Sequence, residues 1–354
     1  MAKLGKLAES VEKFPMTDLW MDSCGEEELE YGLERGIVGA TSNPIIVGAV
    51  VKEEMATWTP VIKKLIQDMP NATEDEIVWA LIDEVGALRS KKLLPAFEKY
   101  DGKKGRLSIQ VNAKYYRDPE RMADQAEHLN GLGENMMVKI PASAAGIKAI
   151  EEATYRGVST NATVSFTVAQ AVAVAEAVER GLKRRQDEGL DIDHMGPVCT
   201  IMIGRTDDWL KKYTNSVGQV VDPEALEWAG VAVIKEAYRI YKERGYHTRL
   251  LSAANRNHYH WSQLVGGDLA QTINYSWWKK LEACDVPVES HIDDPVPEKY
   301  MEQLHKITEF EKSFREDAMT PEEFENYGGF KTTLNQFLTG YEDLVHVIRG
   351  LMVY

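Results

Sequence analysis

A lysine stands inside an apolar run, Asn135-Met136-Met137-Val138-Lys139-Ile140-Pro141, which reads as a buried strand carrying one ammonium. An unpaired charge is costly to bury. Lys139 therefore pairs with a carboxylate, snorkels from a strand end to solvent, or is kept partly neutral by a depressed pKa. A neutral amine is a nucleophile toward ketones and aldehydes, and the imine that results is an electron sink for carbon–carbon cleavage. Other chemically capable residues lie at or just after the ends of apolar runs: Asp22, Asn43, Asn161, Thr163, Arg205 and Arg256. Asn43 and Asn161 offer neutral amides, and Thr163 shares a strand face with Asn161 by the period of two. Two guanidiniums after successive strands suit a bidentate grip on an anion such as phosphate. The bland alternatives are local turn bonding for Asn and Thr, and surface ion pairs for the arginines.

In chain order the segments are Trp20-Met21-Asp22-Ser23, Ala40-Thr41-Ser42-Asn43-Pro44, the Lys139 strand followed by Gly146-Ile147, Asn161-Ala162-Thr163, Gly204-Arg205 and Asn255-Arg256-Asn257. Together they resemble the transaldolase family, lysine-dependent enzymes that move a three-carbon ketol unit between sugar phosphates. The resemblance runs from about residue 15 to about residue 280 and is weaker in the C-terminal helices. It implies a Schiff base at Lys139, proton transfer by Asp22, a relay water held with the help of Thr163, and contacts from Asn43 and Asn161 to sugar hydroxyls. It also implies phosphate binding by Arg205 and Arg256, with Thr200 supplying a hydroxyl nearby.

Three positions depart from the family pattern. Gln110 replaces a glutamate on the third strand, Met202 stands where an aromatic residue is usual, and Ala254 replaces a serine that helps bind phosphate. An amide can hold a water but cannot exchange a proton as a carboxylate does. A glutamine at this place resembles fructose 6-phosphate aldolase, a smaller relative that releases free dihydroxyacetone. The catalytic set implied is thus Lys139, Asp22, Gln110 and Thr163. No metal and no organic cofactor is implied, since the imine itself is the electron sink. His258 and His260 have a spacing that a metal could use on a strand, but they follow Asn257 at a helix start without an accompanying carboxylate or cysteine cluster.

Those residues need a scaffold that gathers strand ends. Eight strand candidates alternate with amphipathic stretches: Leu19–Asp22, Gly36–Thr41, Arg106–Val111, Met136–Ile140, Val158–Val164, Val198–Ile203, Thr248–Ala253 and Ala270–Asn274. Helical patterns between them include 26–35, 74–97, 119–132, 146–155, 168–188 and 223–244. The alternation predicts an α/β fold, a (β/α)8 TIM barrel, with catalytic groups at the C-terminal ends of its strands. A doubly wound open sheet lacks its Gly-rich first turn here. An extra N-terminal helix is predicted over 4–14, and C-terminal helices over 297–314 and 332–352, with a linking loop at 317–329. The domain reading is one barrel domain, 1–354, whose helical extension, 285–354, packs on the barrel.

A net charge of −15 in 354 residues argues against a nucleic-acid partner, so an anionic substrate must rely on local arginines. Cys24, Cys199 and Cys284 are scattered and odd in number, which suits reduced thiols and a cytoplasmic location. No apolar run approaches the roughly 18 residues of a membrane span. The partners expected are small-molecule sugar phosphates, with no nucleic acid and no membrane, and assembly into a homo-oligomer is left open.

Overall fold

The structure, a computed structural model, describes residues 5–353. Eight parallel strands close into a barrel in chain order. They are β1 (Thr17–Met21), β2 (Gly39–Thr41), β3 (Arg106–Gln110), β4 (Met136–Pro141), β5 (Thr160–Ser165), β6 (Val198–Ile201), β7 (Arg249–Ser252) and β8 (Leu269–Ile273). The fold is the expected (β/α)8 barrel, and each strand candidate overlaps an observed strand. Outward-facing strand residues such as Leu19, Ile109, Val138 and Ile140 join the main core under the surrounding helices. A separate cluster fills the lower barrel: Trp20, Val38, Met137, Val198, Leu251 and Ala270. Gly39 makes room for it, since a Cβ there would come within 2.4 Å of the Trp20 indole.

Three helical stretches are divided where the pattern reads as continuous. The first breaks into Glu74–Ser90, a 3-10 turn and Leu94–Lys99, the last opening with Pro95 in its first turn. The second breaks at Trp228 and the third between Leu304 and Thr308. The segment read as a loop over 317–329 holds a 3-10 turn, Pro321–Asn326, entered through a Thr320–Glu323 capping box. The last helix starts earlier than its pattern, at Gly328, and runs to Met352. The N-terminal helix is Lys6–Lys13, and Leu4 of its reading lies outside the described residues.

The C-terminal helix Gly328–Met352 packs against the helices Pro44–Glu53 and Glu74–Ser90. Its Phe330, Leu334 and Phe337 join Val164, Phe166, Met202 and Tyr327 in an apolar cluster over the upper barrel. Among the described residues no helix is long and apolar enough to cross a membrane.

Candidate active site

Period-two alternation inside the barrel sets a polar layer above the apolar one. Met137 belongs to the lower cluster, and Lys139, two residues on, stands in the layer above it. Lys139 is 4% exposed, and its Nζ donates to the Ser42 carbonyl at 3.3 Å. Among the described residues no carboxylate lies within ion-pair distance of it. Burial pushes its pKa down, opposed by the charge of Asp22. Of the three fates open to this lysine, the structure thus excludes snorkelling and pairing.

Register brings the neighbours into place. Gln110 lies beside Lys139 across β3 and β4, and Asn161 beside it across β4 and β5. Gln110 is 2% exposed, and both atoms of its amide are buried without a protein partner. Asn161 is engaged on both sides instead: its Nδ2 donates to Ser108 Oγ at 2.9 Å and its Oδ1 accepts from Thr200 Oγ1 at 2.7 Å. It therefore braces β3, β5 and β6, with Thr200 as its partner. The chain kinks just above Thr163, where the β5–β6 register shifts and Val164 takes φ 51°. A β-branched residue in the left-handed region stores strain of order 1–3 kcal/mol. It turns the strand end at the edge of the site.

Asp22 follows β1, and one carboxylate oxygen accepts from Thr41 Oγ1 at 2.7 Å. Thr41 in turn lies 2.6 Å from Thr272 Oγ1. Asp22 does not cap the next helix, for Gly25 holds that position without a side-chain bond. Asn43 does cap one. Its Oδ1 accepts from the N–H groups of Ile45 and Ile46 at 2.9 and 3.0 Å, ahead of Pro44 in the first turn. The turn reading of Asn43 is therefore real, and its amide N–H groups remain for other contacts.

A cavity of about 150 Å³ joins these groups at the C-terminal mouth of the barrel. Asp22, Asn43, Lys139, Thr163, Thr200, Met202, Arg205 and Arg256 line it, together with Ala254, Asn274 and Phe337. Arg205 leads the helix Ile203–Ser216, with Nη1 toward Gln336 and, at 3.5 Å, Thr333 Oγ1. Burial and the adjacent Arg256 lower its pKa. Arg256 is held by Asp208, whose Oδ2 accepts from Nε and Nη2 at 2.9 Å each. The two loops touch closely: a Cβ on Gly204 would sit 1.7 Å from the Ala254 carbonyl, and Ala254 itself has φ 66°. That contact puts both arginines on one side of the cavity.

Sequence reasoning gave no role to Thr41, Ser42, Asn274, Asp208, Gln336, Phe337 or Thr272. Thr41 and Ser42 precede Asn43 and could have been read from strand alternation. Asn274 ends a predicted strand and carries an Asn-cap signal, realised as 3.0 Å acceptance from Trp277 N–H. Phe337 and Gln336 carry no local signal, since a helix far along the chain brings them in.

Comparison with known proteins gives the family. The model for transaldolase/fructose-6-phosphate aldolase matches residues 19–338. The chain belongs to the transaldolase/fructose-6-phosphate aldolase family. Curated relatives named transaldolase include one from Acidothermus cellulolyticus, 29% identical over 237 residues, covering 64% of this chain and 62% of that protein. The Thermobifida fusca transaldolase is 28% identical over 245 residues, with 64% and 62% covered. That of Thiobacillus denitrificans is 28% identical over 235 residues, covering 64% of each. The chain thus spans somewhat less than two thirds of the length of these transaldolases.

Proposed function

We propose that this protein is a transaldolase, transferring a three-carbon dihydroxyacetone unit from a ketose phosphate to an aldose phosphate through an imine on Lys139. The observation that carries the reading is the buried amine: a lysine with lowered pKa, one carbonyl partner and an opening into a cavity that two arginines flank. Neutral Lys139 attacks the ketose carbonyl, and the carbinolamine loses water through a relay between Gln110 and Thr163. Asp22 takes the proton from the hydroxyl beside the bond that breaks, using the carboxylate oxygen that Thr41 leaves unbound. The carbon–carbon bond breaks, the deprotonated hydroxyl becomes the carbonyl of the departing aldose, and the electron pair of the broken bond passes into the protonated imine to give an enamine. That enamine attacks the acceptor aldose, the new alkoxide takes back the proton from Asp22, and water hydrolyses the regenerated imine to free Lys139. Asn43 contacts sugar hydroxyls, Asn161 and Thr200 brace the strands below, and Arg205 and Arg256 hold the phosphate.

A second reading is supported by Gln110. With an amide beside Lys139, the enamine is protonated and free dihydroxyacetone released, as in fructose 6-phosphate aldolase. Incubation with fructose 6-phosphate, with and without erythrose 4-phosphate, tests both. Product formation that requires the acceptor supports transfer, and free dihydroxyacetone without it supports release. Borohydride should fix the three-carbon unit to Lys139, as located by mass mapping; an adduct on another lysine would refute the reading in both forms.

A further inference from the structure

His260, read from sequence beside His258 as a conceivable metal ligand, does something else. It is fully buried, and so is Asp207 on the helix Ile203–Ser216. The imidazole Nδ1 accepts from the Arg256 backbone N–H at 3.0 Å, and Nε2 lies 2.8 Å from Asp207 Oδ2. Asp207 Oδ1 accepts from Gly230 N–H at 2.8 Å. Because a backbone N–H can only donate, Nδ1 must keep its lone pair, and the ring proton sits on Nε2 facing the carboxylate. Asn257 Nδ2, 3.3 Å from Nε2, has better acceptors in the Glu227 backbone and side-chain oxygens at 3.1 and 2.6 Å.

We propose that Asp207 and His260 form a buried positioning dyad that fixes the Arg256 loop, so that Arg256 and Arg205 present one anion site. The inference rests on the reading of these arginines as the phosphate grip. One helical turn organises that grip in three ways: Arg205 faces the cavity, Asp208 holds the Arg256 guanidinium, and Asp207 acts through the imidazole on the Arg256 backbone. Such a dyad selects a tautomer rather than accepting a proton in turnover. Its loss moves a loop whose Ala254 is already held at positive φ against Gly204.

Two substitutions separate the dyad's halves. In His260→Gln the amide reaches the Nε2 position and can still bond Asp207, but nothing accepts from Arg256. In His260→Asn the side-chain oxygen takes the Nδ1 position and keeps that acceptor. His260→Gln should weaken inorganic phosphate binding, read by calorimetry, and raise KM for fructose 6-phosphate, each by about tenfold, the scale of leaving one buried N–H without its acceptor. His260→Asn should restore part of this, because it keeps the acceptor for Arg256 N–H and loses the bond to Asp207. Borohydride trapping of free dihydroxyacetone on Lys139, which needs no anion grip, should be equal in all three proteins. Wild-type phosphate binding in His260→Gln, an equal loss in His260→Asn, or a parallel loss of trapping would overturn the dyad. Should neither variant fold, the ¹⁵N shifts of His260 in the wild type decide, and a charged or Nδ1-protonated ring overturns it. Failure of the wild type to bind phosphate, by contrast, would remove the anion reading first, and failure to trap dihydroxyacetone would remove the imine.

Discussion

At the N-terminal mouth of the barrel, Asp18 shares its buried carboxylate between Lys104 Nζ at 2.5 Å and Arg249 Nη1 at 2.6 Å. Arg106, also buried there, is lowered to about 10 by burial, yet donates to the backbone carbonyls of Gly102, Met136 and His194. At the C-terminal mouth Lys139 has one carbonyl, Gln110 has no protein partner, and Arg205 turns to neutral Gln336 and Thr333. Both ends bury charge, and Arg106 and Arg205 each keep a buried Nε without a partner among the described residues, but the upper end also sets a lysine with no counter-ion among them beside an amide with no protein partner, Lys139 and Gln110. At the lower end Asp18 ties β1 to β7 and to the segment that leads into β3. Unsatisfied groups weaken the fold and bind ligand, the expected trade at a functional site.

The sharpest way to break this contrast is Lys139→Met. Turnover and borohydride trapping should vanish, while the denaturation midpoint should not fall, because a desolvated ammonium is replaced by an apolar chain of similar length. A large loss of stability would mean that the lysine is structural after all. Arg205→Ala and Arg256→Ala should each cost about 2–4 kcal/mol in kcat/KM for a phosphorylated ketose and far less for a neutral one. Equal losses on both substrates would place the arginines with the structural charges of the lower mouth.

Asp18→Asn should do the reverse, lowering stability in urea by about 2–3 kcal/mol with little change in kcat, since it leaves two partly buried cations without their anion. The pH dependence sharpens the point. Lys139 has a folded pKa below its unfolded value of about 10.4, so the unfolded chain binds the extra proton between the two. Stability relative to Lys139→Met is therefore lowest at low pH and rises as pH climbs from the folded pKa toward the unfolded one. Trapping should speed up through the same folded pKa. Gln110→Glu is the mildest change expected: imine formation persists, while the ratio of transfer to release and its pH profile shift. Rates unchanged at all pH values would take Gln110 out of the relay.

Much of this arrangement was legible because strand chemistry is local. An ammonium in an apolar run, Asn-Pro after a short strand and Asn-x-Thr all announce themselves, and eight such runs between helical patterns point to the barrel. Local pattern offered both roles for the asparagines, turn bonding and sugar contact, but not which atoms each role would take. The Asn43 carbonyl is engaged as a helix cap, and both ends of the Asn161 amide hold neighbouring strands, so residues read as sugar contacts are partly scaffold. The helix breaks at Trp228, which stacks on Tyr259 and Tyr300, and before Thr308, beside the buried Leu304 and Ile307, carry no proline to announce them. Phe337, Gln336 and the Asp207–His260 pair depend on contacts between segments far apart, which no spacing rule reports.

The roof over the cavity has a consequence in time. All eight strands are complete at Ile273, but Phe337, which lines the mouth with Lys139, belongs to the helix Gly328–Met352. The last strand can therefore be complete while the mouth beside Lys139 still lacks Phe337, and the site is finished only when that later helix docks.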